Sequence, residues 1–288
     1  MLGICITTIN GWTPAIEKWW ETGNHIYIAT DLKTPHIPRR PRVTIVTGDE
    51  FPRLNAQLKH NHYSRKNLAY AKAMSDGCTR IFETDDDTFP TVGFDFIDVH
   101  EAVRLAGDKV NVFYNLYGPP YYPRGFDLRA ERTTFKGMLR PVKPDVISYA
   151  CLGEPDVDAF QRIIHGKIVV NKLRDTQDIA VMPGQHCPFN SQYTLWNQRF
   201  EYMLLPTHCS MRACDIVRAE RCEGVLTRAW TVRNTVRQER NEHDVMKDFE
   251  QELEIYLGLV GSGAYPEALV DAWTDEVLGP LGLPRPTL

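Results

Sequence analysis

Short apolar runs alternate with amphipathic stretches over the first third of the chain. Gly3 to Thr8 reads as a buried strand. Thr13-Pro14 then offers an N-cap followed by proline in the first turn, the start of a helix through EKWW. His25 to Ala29 is a second strand ending at Thr30-Asp31, and Val43 to Thr47 a short third. Ser64 to Met74 places apolar residues at helical spacing, with Gly77 as its stop. Arg80 to Glu83 is a strand that runs straight into Thr84-Asp85-Asp86-Asp87. Strands alternating with helices predict an α/β fold whose mixed sheet is flanked by helices. In such sheets ligands bind at the carboxyl ends of strands, and Thr7, Thr8, Asp31 and the acidic triplet all fall at such ends.

Further on the pattern is less regular. Val110 to Ile147 holds two strand candidates around the loop YGPPYYPRG. Met182 to Pro206 reads as a loop followed by a strand, EYMLL. Met211 to Ala219 reads as helix, and Asn241 to Leu257 as a long amphipathic helix. After Gly261 turns surround one short helix. The expected division is a sheet-bearing domain over 1–226 and a mainly helical extension over 227–288 packed on it. At 288 residues the chain suffices for one large α/β domain with an extension.

Composition narrows the function classes. The start turns polar within a few residues, unlike a signal peptide, and no run approaches a membrane span. No integral membrane segment is expected, and the expected location is the cytoplasm of a bacterium, or of a host cell if the chain is phage-encoded. The net charge of −4 gives no global attraction to nucleic acid. One local exception is Thr207 to Arg240, with seven arginines (Arg212, Arg218, Arg221, Arg228, Arg233, Arg237, Arg240) against four acids; it reads as charged helix surface or as a dock for a polyanion such as DNA. The seven cysteines are odd in number and include no CxxC pair, which argues against a disulfide framework and fits a reducing compartment. No nucleophile elbow, P-loop or dinucleotide fingerprint occurs, which counts against a serine hydrolase, a P-loop kinase and a Rossmann dehydrogenase.

Three adjacent carboxylates at a strand end repel one another, and a hard divalent cation offsets that repulsion. Extended backbone turns Asp85 and Asp87 the same way, toward one ion, and Asp86 the other way. The alternative is a helix N-cap cluster. Arg65 and Lys66 near a helix start suit a phosphate or hold the acidic loop in place. Asp31 and Lys33 follow strand two, where a carboxylate can accept from a base or ribose hydroxyl. Arg124 lies among aromatics and a glycine. Asp156 and Asp158 form a second carboxylate pair, read either as a base toward an acceptor hydroxyl or as a helix cap.

The ordered segments ATDLKTP, YSRKNLAYAKAM, IFETDDD, YYPRG, GEPDVDAF, CPFNSQYT and LLPTHCSMRACDIVRA resemble the STELLO-type glycosyltransferase-like family, over roughly Ile6 to Leu226. More distantly, the Asp triplet, the Arg124-Gly125 turn and Pro155 to Asp158 are similar to the reversibly glycosylated polypeptides, the UDP-arabinopyranose mutases. Both likenesses imply a GT-A nucleotide-sugar fold, with Mn²⁺ or Mg²⁺ on the triplet and a nucleoside diphosphate sugar, UDP-linked by preference, as donor. The donor set they suggest is Thr7, Thr8, Asp31, Lys33, Arg65, Lys66, Asp85, Asp86 and Arg212, with metal on Asp85 and Asp87. Asp156 and Asp158 are the candidate bases, and the mutase likeness puts a self-glycosylated arginine at Arg124. The expectation is a metal-dependent glycosyltransferase with a hydroxyl acceptor: a small molecule, a glycan, a protein or a modified phage DNA base. A nucleotide-sugar mutase and a non-catalytic sugar-nucleotide-binding scaffold are the alternatives. The acceptor and the oligomeric state stay open.

Overall fold

The computed structural model describes residues 1–96, 100–105, 116–118, 124–125, 139–174, 178–181, 188–223, 230–238, 244–260 and 262–288. The first of the two strand candidates between Val110 and Ile147, together with Tyr121, Tyr122, Pro123, Cys187, Arg228 and Arg240, lies outside the described residues, and Arg233 is described by its backbone alone.

Five of the first six strands and helices follow the apolar pattern: β1 (Leu2–Thr8), α1 (Pro14–Glu21), β2 (His25–Thr30), β3 (Val43–Val46) and, after the short α2 (Pro52–Gln57), α3 (Lys66–Ser75). Thr13 caps α1 by accepting from the Ile16 amide at 3.3 Å, with Pro14 in the first turn. α3 is preceded by a 3₁₀ turn, Tyr63–Arg65, and ends where Gly77 takes φ 79°, letting the Cys78 amide reach back to the Ala73 carbonyl at 3.0 Å. β4 (Arg80–Thr84) then leads into the acidic turn.

The remaining strands are β5 (Thr88–Pro90), β6 (His100–Leu105), β7 (Leu139–Val142), β8 (Val146–Gly153), β9 (Ile179–Val181), β10 (Tyr193–Trp196) and β11 (Trp230–Gln238). The helices are α4 (Ala159–His165), α5 (Cys214–Glu223), α6 (Val245–Tyr256) and α7 (Glu267–Trp273). Among the described residues all strands join one mixed sheet in the order β3-β2-β1-β4-β10-β8-β11-β9-β6-β7, with β5 paired to β11. β3, β2, β1 and β4 are mutually parallel, β10 is antiparallel to both β4 and β8, and β11 runs parallel to β8. The fold is α/β with a mixed sheet and flanking helices. The period-two alternation of β1 sends Ile4 and Ile6 to a core with Ile16 and Trp19 of α1, and Cys5 to the opposite core with Leu68 and Ala69 of α3.

Two segments depart from the sequence expectation. EYMLL is not a strand: Phe200–Tyr202 forms a 3₁₀ turn after Arg199, which adopts φ 63°. Side chains, not a neighbouring strand, satisfy the backbone that follows. Asn67 brackets Leu205, donating to its carbonyl at 2.9 Å and accepting from its amide at 2.8 Å, and the Tyr265 hydroxyl donates to the Leu204 carbonyl at 3.1 Å. The strand lies a few residues earlier, in YTLW. The stretch 227–288 carries the expected helices α6 and α7, but also β11, which pairs with β8, β9 and β5 in the sheet. Among the described residues no helix is long and apolar enough to cross a membrane.

Candidate functional site

The strand order reverses beside β1: the chain steps outward to β2 and β3, then crosses back to place β4 on the other side of β1. The loops after β1 and β4 therefore diverge and leave a crevice at the carboxyl edge, where open α/β sheets take ligands. A cleft of about 380 Å³ opens there. Five of the residues singled out from the sequence line it together: Thr7 and Thr8 at the end of β1, Asp31 and Lys33 after β2, and Asp86 after β4. Ile9, Asn10, Asn61, His62, Tyr63 and Met211 complete its polar and apolar walls.

Asp86 is the carboxylate the cleft presents. Its Oδ2 accepts from the Thr8 hydroxyl and, at 3.1 Å, from Asn10 Nδ2, and its carbonyl accepts from Thr13 Oγ1 at 2.5 Å. Asp31 is held as firmly: Oδ1 accepts from the Leu32 amide at 2.6 Å and faces His60 Nδ1 at 2.7 Å, while Oδ2 accepts from the Asn61 amide at 2.6 Å. Burial pushes the Asp31 carboxyl up, but the two amides and His60 outweigh it and hold it below the usual carboxylate range. His62 is locked as well. Its Nδ1 accepts from the Ser64 amide at 3.1 Å, so Nε2 carries the proton donated to the Cys209 carbonyl at 3.1 Å. Burial lowers its pKa and keeps the ring neutral. Lys33 is exposed at the rim.

The acidic triplet does not continue β4. Asp85 ends the extended run, and the Thr88 amide closes a turn onto the Asp85 carbonyl at 3.3 Å, so the simple alternation expected for Asp85 and Asp87 does not apply. Asp85 instead points inward, to Lys66 Nζ at 2.6 Å, and the same ammonium donates to the Ser191 carbonyl at 2.8 Å. Lys66 is fully buried and Asp85 nearly so. Burial pushes the Asp85 carboxyl up, and Lys66 opposes that shift. Of the two roles expected for Lys66, holding the acidic loop is the one seen. Arg65 is buried too, donating to Asn55 Oδ1 at 2.6 Å and to the Thr30 carbonyl at 3.1 Å. Asp86 and Asp87 remain half-exposed. Among the described residues no three His, Cys, Asp or Glu side chains converge as a ready-made metal cage.

The other sequence candidates gather behind the cleft in a buried charge network. Arg124 binds Asp156 through Nη2 at 2.7 Å and Nε at 3.1 Å, and Asp215 through Nη1 at 2.8 Å and Nη2 at 3.0 Å. Its Nη1 also donates to the Arg212 carbonyl. Burial alone would lower the guanidinium's pKa, but Asp156 and Asp215 overcome this and hold it well above the ordinary value. Arg212 donates to Glu252 on α6 at 3.0 Å and to Asp156 at 3.4 Å, so it faces this network while its neighbour Met211 reaches the cleft. Asp158 caps α4, accepting from the Phe160 amide at 2.7 Å, and takes a second hydrogen bond from the Tyr256 hydroxyl. The network meets the acidic turn at Ser191, whose amide donates to Asp215 at 3.2 Å and whose carbonyl accepts from Lys66.

Beneath both lies a pair that corrects the reading of Arg218 as charged helix surface or polyanion dock, and whose acidic partner was not singled out from the sequence. Glu83 and Arg218, each fully buried, meet at 2.6 Å, with Tyr70 and Trp196 also donating to Glu83. Asp215, Glu252 and Tyr256 were equally invisible, because their partners lie 91, 40 and 98 residues away along the chain. Asn61 carried a faint local signal, a polar residue suited to the left-handed φ of 51° it adopts. Comparison of the chain with protein-family models and with curated proteins finds no match to either.

Proposed function

We propose that the protein is a metal-dependent glycosyltransferase that binds a nucleoside diphosphate sugar, UDP-linked by preference, in the cleft at the carboxyl edge of β1, β2 and β4, within a GT-A-like fold. The observation that carries this reading is the convergence of Thr7, Thr8, Asp31, Lys33 and Asp86 on one cleft at the point where the strand order reverses. The resemblance of the ordered motifs to the STELLO-type family is in keeping with it.

The fit to a divalent ion rests on the acidic turn. Asp85 is neutralised by Lys66, which leaves the half-exposed Asp86 and Asp87 as hard oxygen ligands. Both hydrogen bonds to the Asp86 carboxylate fall on Oδ2, so Oδ1 is left for another partner. When bound, Mn²⁺ or Mg²⁺ supplies positive charge to the donor diphosphate as the nucleoside diphosphate leaves. Thr8 and Asn10 fix the Asp86 rotamer, so that this carboxylate need not be ordered on binding. Lys33 adds positive charge at the rim. Asp31 has acceptor capacity on Oδ2 beyond the Asn61 amide and suits a ribose hydroxyl.

The mutase alternative places a sugar on Arg124. Among the described residues that guanidinium is buried and held protonated by two carboxylates, which makes it a poor nucleophile, so transfer to an external hydroxyl is the better reading. Titration with UDP, with and without Mn²⁺, tests the donor site. Wild type should bind more tightly with metal, and Asp86→Asn and Asp87→Asn should each lose most of that gain. Identical binding by all three proteins under both conditions would remove the donor-site assignment. Release of free nucleotide from a panel of UDP-, GDP- and dTDP-sugars then separates a transferase from a scaffold, which binds without turnover.

A further inference from the structure

Polar side chains hold α6 to the rest of the molecule. Asp248 pairs with Arg162 of α4 at 2.8 Å, and Glu252 accepts from the Ala159 amide at 2.7 Å and from Arg212 Nε at 3.0 Å. Gln251 accepts from the Arg212 amide at 3.4 Å, Glu254 accepts from the Ser210 amide at 2.8 Å, and the Tyr256 hydroxyl donates to Asp158. Ile255 reaches the main core. Met246, Phe249, Leu253 and Leu257 instead recur at spacings of three and four, which makes them one stripe turned away from Asp248 and Ile255. Met246 is 56% exposed and Leu257 63%, with Phe249 and Leu253 half-buried. A surface helix ordinarily turns its apolar stripe inward and its charges to water. α6 does the reverse.

α4 packs beside α6 and antiparallel to it, since Asp158 meets Tyr256 while Arg162 meets Asp248. It too turns apolar residues to water: Phe160, Ile163 and Ile164 share one face and are 41%, 44% and 55% exposed. Phe160 joins the two stripes, its ring centred 6.3 Å from that of Phe249. With roughly half of each of these exposed side chains accessible, the joint face offers on the order of 500 Å² of apolar surface, the size at which a patch on a protein is often functional. An interface of ordinary size buries about 800 Å² per partner, of which about 60% is apolar, and that apolar share is the same area.

The charges divide by helix. From Ala159 to Arg174 the chain holds Arg162, His165, Lys167, Lys172 and Arg174 and no acid, whereas from Asp244 to Leu257 it holds Asp244, Asp248, Glu250, Glu252 and Glu254 against Lys247. Several of these are spent inside, but His165, Lys167 and Lys172 in the first set and Asp244 and Glu250 in the second are exposed. A polyanion would be attracted by the first set and repelled by the second. A second copy of the same face satisfies both. A two-fold axis running along the helix pair lays α4 of each protomer on α6 of the other, so that apolar stripes meet and unlike charges face each other. His165 and Lys167 then come level with the partner's Asp244, because α4 ends beside the start of α6.

We propose that the protein is a two-fold homodimer through this face, with α4 and α6 of the two copies packed as a layer of four helices. The inference does not rest on the glycosyl-transfer reading. Sedimentation velocity of the full chain over a dilution series in the micromolar range should show a species of about twice the 33.0 kDa chain mass. Ile164→Asp on α4 and Met246→Asp on α6 should each raise the dimer dissociation constant at least about tenfold, because every substitution occurs twice in a two-fold interface. Both positions are exposed in the single chain, so circular dichroism of the variants should match wild type. If an aspartate variant loses its helical signal, the serine variant at the same position is read in its place. Oxidising a mixture of Ile164→Cys and Met246→Cys chains should join two copies in higher yield than oxidising either chain alone, which reports α4 lying on the partner's α6. A wild type that is monomeric throughout the series overturns the proposal, whatever other protein that face binds. So does a dimer that neither substitution weakens, or a mixture that cross-links no better than its components.

Discussion

The cleft and the charge network behind it are built from the same residue types and use them in opposite ways. In the cleft, Asp31 is held by two amides and His60, and Asp86 is held by Thr8 and Asn10 and stays half-exposed. In the network every guanidinium meets carboxylates: Arg124 meets Asp156 and Asp215, and Arg212 meets Glu252 and Asp156. Hydrogen bonds from neutral donors stabilise an acid without consuming its charge, so Asp86 stays available to a cation or a hydroxyl. An ion pair cancels the charge and fixes the geometry, so Arg124, Asp156 and Lys66 act as framework. Sequence alone had placed members of both groups in one functional set.

The largest effects should come from breaking the framework. Arg218→Ala leaves Glu83 buried without its cation, and Arg124→Ala leaves Asp156 and Asp215 facing each other; each should cost about 3–5 kcal/mol of folding stability. Urea denaturation measures this, and a loss below about 1 kcal/mol for both would mean that the network is not structural. Next is the cleft. Asp86→Asn should change stability by less than about 1 kcal/mol, because the amide retains an acceptor for Thr8 and Asn10, yet should remove most of the metal-dependent gain in UDP affinity. A variant equally damaged in both assays would erase the distinction between the two regions.

Titration sharpens the comparison further. Asp31 is held below its ordinary range, so its contribution is present above the unfolded value, about 3.9, and is lost as pH falls through the lower folded value. Asp158 and Glu252 are pushed up by burial against the hydrogen bonds and arginines that oppose it. Their protonated forms favour the fold at low pH, and that contribution is lost as pH rises through their raised values. Stability measured from pH 3 to 7 should therefore lose part of its acid fall in Asp31→Asn, whereas Glu252→Gln should make that fall steeper. The same slope change in both variants would contradict the opposed shifts. The smallest effect belongs to an exposed pair far from either region: Arg53→Ala, which breaks the 2.7 Å contact with Asp275, should move stability by about 0–1 kcal/mol.

The first half of the fold was legible because its signals are local. Thr13-Pro14, the apolar alternation of β1 and the glycine after α3 each act within a few residues of chain. EYMLL was misread because an apolar run reports burial and not its means: Leu204 and Leu205 are buried, but Asn67 and Tyr265 satisfy their backbone in place of a neighbouring strand. β11 escaped notice for a related reason. TVRNTVRQ alternates weakly, and its place in the sheet follows from pairing with β8, some eighty residues earlier.

By itself the sequence determined which strands end in polar residues, and therefore that Thr8, Asp31 and the acidic turn would stand at one edge of a parallel sheet. Period-two alternation and the need for crossover helices enforce that outcome locally. Only the tertiary structure decided which carboxylate of the triplet faces the cleft. That choice depends on Lys66 arriving from α3 to take Asp85 inward, and on Thr8 and Asn10 arriving from β1 to hold Asp86 outward. Likewise, only packing could turn Arg124, Asp156 and Arg212 into a closed network, because a buried charge must be matched by whichever partner the fold brings within reach.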